Sequence, residues 1–335
     1  MKQRVLSGMR PTGPLHVGHL VGALKNWVEL QERYECFFMV ADWHALMSEY
    51  ERPAEIRQNG HEMVKDWIAA GVDPKRSVLF RQSDVPQHLE LYMVLSILAP
   101  LGWVERVPTY KEQLREVKGR DLATYGFLGY PVLQAADILL YKAEAVPVGE
   151  DQIPHLELTR EIVRRFKFLY QADIFPEPKP LLTQEAKLLG IDGRKMSKSY
   201  DNFIALSEEP DQIRKKGQKM FTDPQRIKMT DPGHPETCNV CHYWEVFVPE
   251  QSPKVWEECR TSKRGCTQNK QELSEHLIQL TERFRKERQA LPEPEVEKIL
   301  AEGAARARAV ASETMREVKK AIGLSNHDRS RPYEL

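Results

Sequence analysis

Three groups of residues in this 335-residue chain have types and spacings that do chemistry. The first is His16-x-Gly18-His19, inside the stretch SGMRPTGPLHVGHL at residues 7–20. Two imidazoles three residues apart at the start of a helix share a face, and each can donate a hydrogen bond to a phosphate. A helix N-terminus favours anions. Gly18 leaves a bare patch of backbone where a purine can stack. The common phosphate motifs do not account for this stretch. Gly8 and Gly13 have the spacing of a phosphate loop, but Pro14 and Leu15 stand where Lys and Ser/Thr belong. The G-x-G-x-x-G dinucleotide fingerprint is absent here too. The second group is Lys195-Met196-Ser197-Lys198-Ser199, in a loop beside Gly193. Lysine is a mobile point charge, suited to following a phosphate that moves during reaction. The third is a set of four cysteines, Cys238-x₂-Cys241 and Cys259-x₆-Cys266. In a chain without secretory features they suggest a metal more than disulfides. Soft thiolates suit an iron–sulfur cluster or zinc, and the six-residue gap is unusual for a zinc ribbon. Each group also has a plain reading: a helix cap with two surface histidines, a solvated basic loop, and free thiols or one disulfide.

These residues need a frame to hold them. The first half of the chain alternates short apolar runs with amphipathic stretches. QRVLSG, CFFMVAD (residues 36–42), SVLFRQSD (77–84) and AVPVG read as strands, and CFFMVAD has the unbroken apolarity of a buried parallel strand. Helices are expected from about residue 20 to 34, over PAEIRQNGHEMVKDWIAAG, which Pro53 opens and Gly71 closes, and over VPQHLELYMVLSILAPLG. YPVLQAADILLYKAE and EDQIPHLELTREIVRRF read as two more. Repeated β-α-β-α predicts an α/β fold, a Rossmann-like doubly wound parallel sheet with helices on both faces. Ligands of such sheets bind beyond the carboxyl ends of the strands. Gly8, Asp42-Trp43-His44 and Gly149-Glu150-Asp151-Gln152 all fall there. After Phe175 the character changes. PEPKPLL reads as a proline-rich connector, and residues 207–291 as helices without a strand pattern. Residues 295–324 form one long helix, with Leu300, Ala304, Ala307, Ala311, Thr314, Val318 and Ile322 stepping by three or four. We therefore expect a Rossmann-like domain at 1–200, a C-terminal α-helical domain at 201–299, and a terminal helix, 300–335, that packs back on the first.

Bulk composition narrows the partners. Lys+Arg and Asp+Glu are both 49, so any nucleic acid must be held by local patches rather than overall charge. From residue 194 to 228 there are nine Lys/Arg against five Asp/Glu, densest in IRKKGQK. That excess suits phosphate contact, though a solvated helix face has the same look. No apolar run approaches the roughly 18 residues of a membrane helix, and MKQRVLSGMRP lacks a signal peptide's apolar core. A soluble cytoplasmic protein without a membrane partner is expected.

H-x-G-H after the first strand and K-M-S-K-S after the nucleotide fold are together the double signature of class I aminoacyl-tRNA synthetases. With YPVLQAADILLY (130–141), VPVGEDQ (146–152) and HLELTREI (155–162), the chain closely resembles the bacterial tryptophanyl-tRNA synthetases over nearly its whole length, including the C-terminal VASETMREVKKAIG. The resemblance implies a ligase of protein biosynthesis that activates L-tryptophan with ATP and Mg²⁺ and transfers it to tRNA(Trp). The substrate carboxylate is already an anion, so catalysis is positioning plus stabilisation of phosphate charge. By resemblance, His16, His19, Lys111 (in TYKEQ), Lys195 and Lys198 meet the phosphates, and Gly8, Met9, Arg10, Thr12, Gly18, Gly149, Asp151, Met196 and Ser197 complete the ATP site. Asp137 meets the indole N–H, Tyr130 and Gln152 the α-amino group, and His44, Val146 and Val148 line the pocket. An indole is donor-only, so a carboxylate is the right partner.

The helical domain of the family reads the tRNA anticodon, CCA for tryptophan, and a homodimer is implied. Some members carry a [4Fe–4S] cluster in this region. Cys238, Cys259 and Cys266 match three of its ligands, Asn269 stands at the fourth position, and Cys241 is the substitute; zinc is the alternative. Two positions depart from the pattern. Arg10 replaces a common glutamine. Tyr130-x₃-Gln134-x₂-Asp137 is the spacing with which the sister tyrosyl enzymes grip tyrosine. A tyrosyl enzyme, a small nucleotidylyltransferase and a non-charging paralogue are thus the competing readings.

Overall fold

The computed structural model describes residues 2–108, 110, 111, 114, 122–182, 188–194, 196 and 200–325. Five strands, β1 (Arg4–Met9), β2 (Glu35–Val40), β3 (Val78–Arg81), β4 (Ala145–Val148) and β5 (Lys179–Leu182), make one sheet of order β3-β2-β1-β4-β5. Every pairing in it is parallel. Alternate side chains enter two separate cores: Cys36, Phe38 and Val40 face one side, Phe37 and Met39 the other. Burial on both faces is why β2 reads as continuous apolarity instead of alternation. The chain winds outward from β1 to β3 and then returns to the far side of β1. Strands β1 and β4 therefore flank the switch point where such sheets bind ligands.

β5 corrects the sequence reading, which took PEPKPLL for a connector. Pro180 lies opposite Val146 and lacks an N–H, but β5 is an edge strand and needs donors on one side only. Lys179 N–H donates to the Glu144 carbonyl at 2.8 Å. The first helix also differs from the continuous one expected. A turn at Val17–His19 runs into a π-type segment, Leu20–Leu24, before α1 (Lys25–Arg33). Such segments favour functional sites.

On one face, α1 and α3 (Pro53–Ala70) cover the sheet. Trp27 stacks on Phe38 at 4.2 Å and meets the edge of Trp67, while its indole N–H donates to Ser7 Oγ at 3.1 Å. Gly71 ends α3 at φ 109°, as its place in the sequence predicts. Between β2 and α3 lies the short helix α2 (Asp42–Glu49). On the other face lie α4 (Gln87–Leu98), α5 (Tyr130–Leu140) and α6 (Ile153–Tyr170). The helical segment comprises α7 (Pro210–Gln218), α8 (Asn239–Phe247), α9 (Ser252–Arg260) and α10 (Cys266–Ala290). Its Ile213, Tyr243, Leu273 and Leu277 share a core with Trp27 and Trp67.

The last helix, α11 (Glu293–Ala321), begins two residues earlier and ends three earlier than the pattern suggested. Ala304, Ala307, Ala311 and Val318 join the core of Phe37 and Phe80, and Ile322 packs on it from just beyond the helix end. The fit to β3 is tight enough that a Cβ at Gly303 would land on the Leu79 carbonyl. Glu297 accepts from Arg81 Nη2 at 2.6 Å, Arg57 Nη2 at 3.0 Å and His61 Nε2 at 2.5 Å. Burial pushes that carboxyl up, but the hydrogen bonds from Arg81 and Arg57 outweigh it and hold the group at about 2.

Two outcomes follow. Gly303→Ala loses more than about 2 kcal/mol of stability in denaturant titration, because backbone, not a flexible side chain, blocks the new methyl; a loss within 0.5 kcal/mol, about what ordinary surface changes cost, refutes this packing. Glu297 has a depressed folded value, so its contribution is present above the ordinary value of 4.5 and is lost as pH falls towards 2. The melting temperatures of wild type and Glu297→Gln should differ at pH 7, with the gap narrowing from pH 4.5 down towards pH 2; a constant gap rejects the ionic role.

Candidate active site

At the carboxyl ends of β1 and β4 the structure holds a cavity of about 300 Å³. Tyr130, Gln134 and Asp137 face it from α5, since positions i, i+4 and i+7 share one side of a helix. Val146 and Val148 face it from β4, His44 from α2, and Gln152 from the turn that begins α6. The structure thus brings together all seven residues expected to meet the amino acid. Gly8 and Arg10 enter from the end of β1. A Cβ on Gly8 would lie 3.0 Å from the Met39 carbonyl, so glycine keeps this lip open.

Asp137 forms the polar floor. It is 2% exposed. Its Oδ2 accepts from His44 Nε2 at 2.8 Å, and its Oδ1 from Gln82 Nε2 at 2.8 Å and His88 Nδ1 at 2.6 Å. Burial raises the carboxyl, but the hydrogen bond from His44 and the proximity of His88 overcome it and hold the group below its ordinary value. The floor is a carboxylate within a wall that mixes apolar side chains, among them Val146 and Val148, with polar ones, among them Tyr130 and Gln152. Asp42 steadies His44: its carboxylate accepts from the backbone N–H and hydroxyl of Ser83, past β3, and from Trp43 N–H, fixing the first turn of α2. Across the cavity, burial pushes His155 down to about 4, and its neutral ring meets the Tyr130 hydroxyl at 3.0 Å.

The H-x-G-H turn follows, a few residues on, the end of β1 that reaches this cavity. The His16 backbone N–H donates to His19 Nδ1 at 3.1 Å, and the two rings sit 3.8 Å apart. Val17 N–H donates to Ile204 O at 3.0 Å and Leu206 N–H to Leu15 O at 2.9 Å. These bonds stitch the turn to the chain just after the lysine loop. A Cβ on Gly18 would lie 3.1 Å from Met196 Sδ, so the methionine of the second motif rests on the glycine of the first. On the other side of that loop, Tyr243 hydroxyl and Asn239 Nδ2 of α8 donate to the Leu189 and Gly190 carbonyls, both at 2.8 Å. Lys195, Ser197 and Lys198 lie outside the described residues.

Residues 1–282 match the family model of class I tRNA synthetases for tryptophan and tyrosine. The chain is 49% identical to the tryptophan–tRNA ligase of Thermotoga maritima, covering 96% of this chain and 99% of that one. It is 43% identical to that of Aquifex aeolicus, covering 96% and 100%. A crystal structure of the Campylobacter jejuni tryptophanyl-tRNA synthetase, complexed with ADP and tryptophan, superposes with a TM-score of 0.87 at 34% identity, covering 96% of this chain and all of that one. The chain belongs to the tryptophan–tRNA ligase family of class I synthetases.

Not every synthetase residue expected from sequence is at the cavity. Met9 and Thr12 flank Arg10 without lining it, and Thr12 N–H turns back to the Arg10 carbonyl. Gly149 precedes the turn Glu150–Gln152, whose exposed Asp151 accepts from Gln152 Nε2 at 3.1 Å. Lys111 is exposed and does not line the cavity. Sequence reasoning passed over Gln82, His88, Tyr141 and His155. Gln82 carried a usable signal, because it follows the carboxyl end of β3. His88 carried none, being a lone histidine in an apolar helix.

The expected [4Fe–4S] cluster or zinc is not supported by the cysteine geometry. Cys238, Cys241 and Cys259 are buried core thiols, and Cys266 is half-exposed. Cys238, Cys241 and Cys259 interact with one another, which lowers Cys238 and Cys259 and raises Cys241. The Arg226 guanidinium lies 3.9 Å from Cys259 Sγ. Asn269, three residues past Cys266, points its amide at Cys241 Sγ from 3.8 Å; an amide nitrogen is no soft ligand. Among the described residues no group of three or more His, Cys, Asp or Glu is placed to hold a metal ion. Nor is any helix among them long and apolar enough to cross a membrane.

Gly18→Ala tests the contact between the motifs. The added methyl must displace the His16 ring, 3.0 Å away, or Met196. ATP–pyrophosphate exchange should fall about ten-fold or more, since small misplacements near reacting groups are costly. The melting temperature should hardly move. Unchanged exchange would show that the contact does not matter.

Proposed function

We propose that the cavity binds L-tryptophan and that the H-x-G-H turn, with the lysine motif, binds MgATP. The observation that carries this is the buried Asp137 carboxylate on the floor of the cavity, which accepts from His44, Gln82 and His88. It is the partner a donor-only indole requires. Phenylalanine would leave it unpaired, a rejection that reaches roughly 10⁴-fold in sites of this kind. The tryptophan carboxylate attacks the α-phosphorus of ATP. A P–O bond forms, pyrophosphate leaves, and tryptophanyl-adenylate remains. The 2′-hydroxyl at the 3′ end of tRNA(Trp) then takes the tryptophanyl group and AMP departs. Tyr130 and Gln152 hold the α-amino group. His16, His19, Lys111, Lys195 and Lys198 meet the phosphates, with Lys195 and Lys198 on the departing pyrophosphate. Asp151 meets the ribose. Mg²⁺ arrives with ATP as part of the substrate.

In this reading residues 1–200 are the catalytic unit and 201–299 the part that reads the CCA anticodon. Exposed Lys215 on α7 and Lys219 just past its end suit phosphate contact. The protein works in the cytoplasm as a homodimer.

The test is ATP–pyrophosphate exchange with each of the twenty amino acids. Exchange with tryptophan alone is expected. Exchange with tyrosine would make Gln134, which lines the pocket, the deciding residue and overturn the tryptophan reading. In the same assay Asp137→Ala should raise the KM for tryptophan at least about 100-fold, as loss of a hydrogen bond to a buried charge does, with the KM for ATP little changed. A variant that still prefers tryptophan over phenylalanine by the wild-type margin would reject Asp137 as the indole partner.

A further inference from the structure

The carboxylate of Asp137 has about four acceptor sites. His88 and Gln82 occupy those of Oδ1, and His44 takes one on Oδ2. One acceptor position on Oδ2 is left over. Its direction depends on what fixes the carboxylate plane, because the terminal torsion of aspartate is broad and nearly two-fold. Behind Asp137, His88 Nε2 lies 2.8 Å from the Tyr141 hydroxyl. Neither His88 nor Tyr141 is exposed, and neither lines the cavity. Phe80 stacks against the His88 ring at 6.0 Å, and Phe37 against the Tyr141 ring at 4.7 Å. The chain of contacts is therefore anchored in the sheet itself. With its proton on Nδ1, His88 donates to the carboxylate and accepts from Tyr141, satisfying all three groups. Burial pushes the Tyr141 hydroxyl well above its ordinary value, which keeps it a donor.

We infer that His88, backed by Tyr141, is a positioning residue for amino-acid selection: it turns the Asp137 carboxylate so that its remaining acceptor site meets an indole N–H. This rests on the proposed role of Asp137. His88 touches no substrate and acts only through that carboxylate. Other buried histidines differ. His61 serves the Glu297 ion pair and His155 the Tyr130 hydroxyl. His88 alone among the described histidines joins the sheet core to the floor of the pocket.

The readout is the preference, as a ratio of kcat/KM in ATP–pyrophosphate exchange, for tryptophan over β-(benzo[b]thiophen-3-yl)alanine, which carries sulfur in place of the N–H. His88→Asn keeps an amide donor near the Nδ1 position, and His88→Gln places it near Nε2 instead. The Gln variant should lose about ten-fold or more of the wild-type preference, through the KM for the amino acid and with the KM for ATP unchanged. The Asn variant should keep most of it. Equal preference in wild type and both variants would overturn the inference, and so would equal loss in Asn and Gln, which marks a structural role. If the Gln variant does not fold, Tyr141→Phe replaces it: a several-fold loss is expected, and a wild-type ratio overturns the relay. If the wild type itself makes no distinction between the two amino acids, the fault lies with the reading of Asp137, and the inference falls with it.

Discussion

A carboxylate with almost no exposure must find donors or give up its charge. Asp137 finds three, and none is on its own helix. His44 belongs to α2, which follows β2; Gln82 follows β3; His88 belongs to α4. Satisfying this one anion therefore fixes the ends of two strands and two helices relative to α5. Asp42 repeats the device nearby, tying the first turn of α2 to Ser83. The pocket is rigid because its polar atoms are shared among elements, while its walls, Val146 and Val148, need only apolar shape.

The same economy governs the two phosphate motifs. They lie nearly 180 residues apart, and no spacing rule connects them. Backbone hydrogen bonds, Val17 N–H to the Ile204 carbonyl and Leu206 N–H to the Leu15 carbonyl, make them neighbours. The far side of the lysine loop is gripped by Asn239 and Tyr243 of α8. The described residues on the two flanks of the second motif are thus held, by the nucleotide fold on one side and the helical segment on the other. The cysteines belong to this arrangement. Cys238 precedes Asn239 at the start of α8, and its burial with Cys241 and Cys259 helps to seat that helix.

How much of this could be read beforehand depends on where the determining physics is local. Strands buried on both faces declare themselves by unbroken apolarity, as CFFMV does, and α3 by Pro53 and Gly71. β5 did not, because prolines tolerated at a sheet edge look like those of a linker. Tyr130, Gln134, Asp137 and the valines of β4, which line the cavity, were named by the family resemblance. Gln82 was accessible through the rule that strand ends face ligands. His88 and Tyr141 were not, since their role exists only once α4 lies on α5. The cysteines are the converse case. Their spacing is suggestive in one dimension, but among the described residues no group of three or more ligands is placed to hold a metal ion.

The terminal helix shows how a remote element bears on the site. α11 runs back along β3: Arg306 donates to the Ser77 carbonyl at 3.1 Å, Gly303 rests on Leu79, and Glu297 holds Arg81. Arg81 is the last residue of β3, and the next, Gln82, donates to Asp137. The helix and the pocket therefore grip adjacent residues of one strand end. A small-residue face lets α11 come close, and the ion pair between the partly exposed Glu297 and Arg81 helps to set its register along the strand. The position of Gln82 is thus constrained from both sides, by a helix that contributes no residue to the cavity and by the carboxylate that forms its floor.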